Sequence, residues 1–187
     1  DADERNNMSG VVCLGLRLIE YFGGNKMILA FAHPGMVVSD LDKAIEFYSK
    51  MFGFKVIGHE SWQDSEAYDQ AIGLKGSAAK GVMMAGHNCH IEIFEYSAPK
   101  PTVAPPETFL AHETGIRHIA FYVDDPQKEL DRLVSLGGSA LGSLPEGGGA
   151  VYARDPFGNM IELCKIPSAE ESPENLPGVK KLGNFEG

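Results

Sequence analysis

Between residues 31 and 54 the chain reads FAHPGMVVSDLDKAIEFYSKMFGF, and its apolar positions change period partway along. Met36 to Val38 form a short apolar run with His33 near its start. From Leu41 the spacing lengthens, so that Leu41, Ala44, Ile45, Tyr48 and Phe52 share one helical face. Asp40 stands where a helix N-cap belongs and Gly53 where a helix ends. The pattern predicts a strand, a capped amphipathic helix and a glycine stop.

The same pattern returns at an offset of 85 residues, where HIAFYVDDPQKELDRLVSLGGS lies against HPGMVVSDLDKAIEFYSKMFGF. His118 falls on His33, Asp125 on Asp40, Leu130 on Ile45 and Gly138 on Gly53. Leu130, Leu133 and Val134 make the second apolar face, and Pro126 takes the favoured first helical position. One βα unit is written twice.

Both copies close alike, CHIEIFEY (89–96) matching NMIELCKI (159–166) with Glu92 on Glu162. In the second copy, SALGSLPEGGGAVYARDPFGN reads as two strands around a glycine-rich loop, with Asp155 to Asn159 as a tight turn. The first copy is longer, and its ESWQDSEAYDQAIGLKG stretch predicts a loop or short helix. The chain therefore predicts an α+β fold of two βαβββ modules, 27–96 and 115–166, joined by a proline-rich connector at 97–114. An N-terminal extension (1–26) would add a helix or strand, and the tail (167–187) would run extended over the surface.

Composition narrows the function. A formal charge of -10 repels phosphate backbones and anionic lipid, which argues against nucleic acid and membrane partners. Cys13, Cys89 and Cys164 form no paired framework, as expected of a reduced, cytoplasmic setting. The apolar run Val11–Ile19 is too short for a span and follows an acidic leader, unlike a signal peptide.

Strand parity picks out the chemistry. Ile91 and Ile93, like Ile161 and Leu163, point beneath the helices, so Glu92 and Glu162 point the other way, and Glu95 is excluded from their face. His33 shares its face with Gly35 and Val37, and His118 with Ile116, Ala120 and Tyr122. A lone strand histidine is more often a hydrogen-bonded core group, and a lone glutamate a solvated one. Two imidazoles and two carboxylates at matched positions of a repeat instead make a first shell for a divalent transition metal, with two octahedral positions left for substrate. The HNCH cluster at 87–90 lacks structural zinc spacing; His90, on the face of Glu92, is expected to line the cavity, as is Phe94.

The stretches HPGMVVSDLDKAIEFY, HIEIFEY, IRHIAFYVDD and YARDPFGNMIEL resemble the vicinal oxygen chelate superfamily over roughly residues 28–166. That family includes glyoxalase I, methylmalonyl-CoA epimerase, extradiol dioxygenases and the fosfomycin and bleomycin resistance proteins. The resemblance implies curled mixed sheets around a central metal cavity, one divalent ion (nickel, cobalt, manganese, zinc or iron), a small-molecule substrate and a homodimer. It places the metal ligands at His33, Glu92, His118 and Glu162, a set similar to that of glyoxalase I. Glu162 and Glu92 would then be the candidate bases of a lyase or isomerase working through a metal-stabilised enolate.

Departures from the family pattern narrow the reading. Val37 stands where glyoxalase I carries an arginine for glutathione, which argues against that cosubstrate. Gly81 or a neighbour stands where methylmalonyl-CoA epimerases place a catalytic glutamate. The alternative is an extradiol dioxygenase using His33, His118, Glu162 and Tyr152; it lacks a histidine at Ser143 and has a surplus carboxylate at Glu92. A non-catalytic binding protein is the remaining alternative, and four intact ligand positions argue against it. Tyr122 and Tyr152 complete the expected substrate-facing residues.

Overall fold

The computed structural model describes residues 31–101 and 106–166. The expected N-terminal extension, the C-terminal tail and Cys13 lie outside them. The first module runs β1 (Gly35–Val37), α1 (Leu41–Phe52), β2 (Lys55–Gln63), α2 (Glu66–Ile72), β3 (Ala78–Gly86) and β4 (Cys89–Ala98). A single 3-10 turn at Pro106–Thr108 precedes the second: β5 (His118–Val123), α3 (Pro126–Ser135), β6 (Ser139–Ala140), β7 (Ala150–Arg154) and β8 (Met160–Lys165). Each module folds into one four-stranded mixed sheet, ordered β1-β4-β3-β2 and β5-β8-β7-β6. In each, the opening strand runs parallel to the closing strand and the remaining pairs are antiparallel.

The expected caps are present. Asp40 accepts the Lys43 backbone N–H, and Asp125 accepts those of Gln127 and Lys128. α1 ends at Gly53, whose φ of 69° is the left-handed conformation glycine adopts without a Cβ penalty. In the second copy the left-handed glycine is Gly137 rather than the aligned Gly138. Gly138 is needed for closeness instead, because a Cβ there would sit 2.5 Å from the Arg154 carbonyl oxygen. His33 lies two residues ahead of β1 rather than inside it.

The helices bury most of the predicted faces, Leu41, Ala44, Tyr48, Phe52, Leu130 and Leu133 among them, with additions and exceptions. α1 buries Phe47 and Met51 as well as Leu41, Ala44, Tyr48 and Phe52, while Ile45 is only half-buried. In α3, Val134 is exposed. α1 packs on two sides, against its own sheet and against the second module. Phe52 stacks on Phe121 of β5 with ring centroids 4.1 Å apart. Arg132 of α3 donates to the carbonyls of Lys50 and Met51 at the end of α1. Ile91, Ile93, Ile161 and Leu163 meet both helices in one continuous core.

A buried carboxylate joins the modules. The Asp155 carboxylate, in the turn between β7 and β8, accepts the backbone N–H groups of Phe157 and Asn159, the Asn159 amide and the Tyr48 hydroxyl, each within 2.9 Å. Burial pushes the Asp155 carboxyl above its ordinary value and raises the Tyr48 phenol well above its own. Four donors offset the cost of burying that group. The adjacent Arg154 guanidinium donates to the carbonyls of Gly158, Pro106 and Phe109, fastening the segment before β5 to the same turn.

Two stability results follow. Tyr48→Phe removes one of the four donors and should cost about 1–3 kcal/mol in urea unfolding; an unchanged midpoint would show that the inter-module bond is dispensable. Glu95, on the helix side, accepts the Leu41 backbone N–H at 2.8 Å and pairs with Lys80 at 3.1 Å. That backbone bond, helped by Lys80, holds its carboxyl below the ordinary 4.5. Its contribution is therefore present above 4.5 and lost as the pH falls through the lower folded value. Wild type should melt above Glu95→Gln near pH 6, with the gap closing as the pH is lowered through the depressed folded value.

Candidate metal centre

Glu92 projects from β4 on the side away from the core, and β1 brings Gly35 directly opposite it. His33, two residues ahead of Gly35, reaches diagonally across, placing its Nε2 3.3 Å from a Glu92 carboxylate oxygen. The second module repeats this register: Ala120 lies opposite Glu162, and His118, two residues ahead, places its Nε2 3.0 Å from the Glu162 carboxylate. The small residues at 35 and 120 leave room for the pair beside them; a Cβ on Gly35 would already meet the carboxylate at 3.9 Å. All four side chains are between a fifth and about a third accessible.

Donor chemistry and spacing fit a divalent transition metal. Two ligands about 2.1 Å from an octahedral ion and at right angles to each other stand about 3.0 Å apart, close to both imidazole–carboxylate separations. Each module therefore holds one imidazole–carboxylate pair that could supply half of a four-ligand shell. The halves do not meet: among the described residues no three His, Cys, Asp or Glu side chains converge in a metal-holding group. The shared core explains the separation. Both sheets turn their helix-side faces toward it, so both ligand faces turn outward.

The expected substrate-facing residues flank these pairs. Tyr152 lies across the strand pair from Glu162 with its ring 5.0 Å from His118, and burial followed by the Glu162 charge raises its phenol. It also lines a cavity of about 510 Å³ with Leu110, His112, Leu141, Ser143 and Val151. Tyr122 is on the His118 strand and half exposed. In the first module His90 shares the Glu92 face, its imidazole pulled below the ordinary value by burial and then by His33. Phe94 follows Glu92 on that face and meets Trp62 edge-on at 5.5 Å.

Sequence reasoning missed several residues on these faces. Cys164, two residues after Glu162, has its thiol pushed up to about 11 by burial and then by its hydrogen bond to that carboxylate. Glu60 and Trp62 belong to β2 rather than to a loop, and α2 presents Tyr68 to both, donating to Glu60 at 2.5 Å and stacking on Trp62 at 4.5 Å. The alternation Gly58, Glu60, Trp62 was the available signal.

Known proteins are similar to this chain in sequence and in fold. The model of the Glyoxalase/Bleomycin resistance protein/Dioxygenase superfamily matches residues 30–163. A 2-epi-5-epi-valiolone epimerase from Actinomyces sp is 24% identical over 151 residues, 75% of this chain and 81% of its own. A lactoylglutathione lyase from Neisseria meningitidis is 23% identical over 75% of this chain and 93% of its own length. One from Arabidopsis thaliana is likewise 23% identical, and the matched region is 44% of that longer enzyme. A glyoxalase family protein from Bacillus cereus superposes with a TM-score of 0.67 over 77% of this chain and 98% of its own, at 23% identity, and shares the fold. Paired βαβββ modules, each with a histidine and a glutamate in the same register, together with the family match, assign this chain to the Glyoxalase/Bleomycin resistance protein/Dioxygenase superfamily.

Proposed function

We propose that this chain is a divalent-metal-dependent lyase or isomerase acting on a small organic molecule with neighbouring oxygens, and that a second copy completes its site. The carrying observation is the pair of equal half-sites, His33–Glu92 and His118–Glu162, on outward faces of one chain. Val37, Ile116 and Tyr122 expose apolar surface on those same faces, as expected of surface that a partner covers. In a symmetric dimer the first half-site of each protomer meets the second half-site of its partner. Support comes from relatives named as an epimerase, which is an isomerase, and as lactoylglutathione lyases.

The ion held by these four residues would supply positive charge that lowers the cost of negative charge on a substrate oxygen. Glu92 and Glu162 are the carboxylates that take a carbon-bound proton and return it. Tyr152 and His90 flank them, one in each half-site, and position the substrate beside the bases. Val37 contributes no positive charge for an anionic cosubstrate, so the reading is of an enzyme independent of glutathione.

Metal content tests the site. Elemental analysis should find about one divalent ion per chain, weakened in Glu92→Gln. Iron whose binding survives that change would favour ring-cleaving dioxygenation, and a protein that takes up no metal on reconstitution would be a binding protein. Mixing tests the assembly. His33→Ala and His118→Ala should each lose metal alone, whereas co-expressed together they should regain about a quarter of the wild-type content, since half the dimers would be mixed and each mixed dimer has one intact site. A site built within one chain would regain nothing.

A further inference from the structure

We propose that Glu60, held by Tyr68 beside the Phe94 ring, is a specificity-determining residue that receives the hydroxyl-bearing end of a neutral, polyhydroxylated ring substrate. This rests on the metal centre proposed above, because that centre would hold the substrate's other end.

Glu60 lies opposite Gly81, and Gly81 lies opposite Phe94, so the three form one row across β2, β3 and β4 on the face that carries Glu92. Gly81 leaves space that the Phe94 ring fills. A Cβ at Gly81 would stand 2.5 Å from Phe94 Cε1, so the ring lies flat over the glycine and floors the face between the two carboxylates. Two strand spacings and a two-residue offset separate the Glu60 and Glu92 Cα positions by roughly 12 Å, room for one ring-sized molecule. Trp62 and Tyr96, in the next row, wall one side.

Among the described residues only Tyr68 donates to Glu60, and it uses one carboxylate oxygen. The other keeps its lone pairs, on a half-buried residue facing the same side as Glu92. The charges of both Glu92 and Glu60 raise the Tyr96 phenol, after burial, so both carboxylates lie within electrostatic reach of that ring. An aromatic floor packs against the C–H face of a ring while a carboxylate accepts its hydroxyls. The same carboxylate repels acidic tails, in keeping with a chain of formal charge -10.

The chain's single tryptophan, Trp62, reports on this spot. In metal-loaded protein, Trp62 fluorescence is titrated with pentahydroxycyclohexanone and with 2-hydroxycyclohexanone, which offers neighbouring oxygens but no remote hydroxyls. Wild type should bind the polyol about tenfold more tightly or better, and Glu60→Gln should abolish that preference without altering affinity for the simpler ketone. Gln keeps an oxygen for the Tyr68 hydroxyl, so an unchanged emission spectrum confirms that α2 stays docked. Glu92→Gln should weaken both ketones alike. If both bind through Glu92 and Glu60→Gln changes neither or both equally, the inference falls and the metal-site reading stands. If neither binds wild type, both fall. Quenching by tetramethylammonium that Glu60→Gln removes would overturn the polyol assignment in favour of a cation.

Discussion

The period of two along β4 and β8 is the constraint on which the rest of the molecule depends. Ile91 and Ile93, and Ile161 and Leu163, are driven into the core by the hydrophobic effect. The residue between each pair, Glu92 or Glu162, must then stand on the opposite face. The parallel pairing of β1 with β4 and of β5 with β8 fixes which histidine meets which carboxylate. A slip of one residue in either closing strand would turn a carboxylate into the core and an isoleucine or leucine out of it. Core packing thus enforces the register of the carboxylates, and the His–Glu geometry needs no separate device to hold it.

A second constraint sets the two half-sites relative to each other. Tyr48 and Phe52 come from α1, yet one bonds the Asp155 turn and the other stacks on β5, so the first helix is shared property of both modules. Arg132 reinforces the join by bonding the carbonyls that α1 leaves unsatisfied at its C-terminal end. With the helix-side faces fused in one core, the faces that carry the His–Glu pairs lie on the side of each sheet away from it.

What the sequence made legible follows from the range of the forces involved. The repeat, both N-caps, the left-handed glycine after α1 and the parity of the closing strands are local, and the residues themselves declare them. Phe47 and Met51 were missed because α1 buries a wider arc than one apolar stripe, with Phe47 packed edge-on against Tyr48 and Phe52. Val134 was misplaced because apolar spacing alone does not bury a residue: among the described residues it is left exposed on α3. Glu60 and Trp62 were hidden by the irregular register of β2 near Val56 and Gly58, which breaks the alternation just before it would have shown them on the Glu92 face. The pairing of each histidine with its own glutamate was readable from the repeat; the separation of the two pairs was not, since it depends on which faces of the modules fuse.

In the proposed assembly, dividing the ligands between two chains would link metal binding to assembly. Each half-site alone is a carboxylate beside an imidazole, a modest charge that solvent and the histidine can moderate. Joining two half-sites brings two carboxylates onto one point while removing water from Val37, Ile116 and Tyr122. Apolar burial favours that step and carboxylate repulsion opposes it, so the balance turns on a cation between them. On the proposed assembly, the divalent ion is therefore both the source of the site's chemistry and a partner in closing it, because metal bound only by the complete site stabilises the complete site by the free energy of its binding.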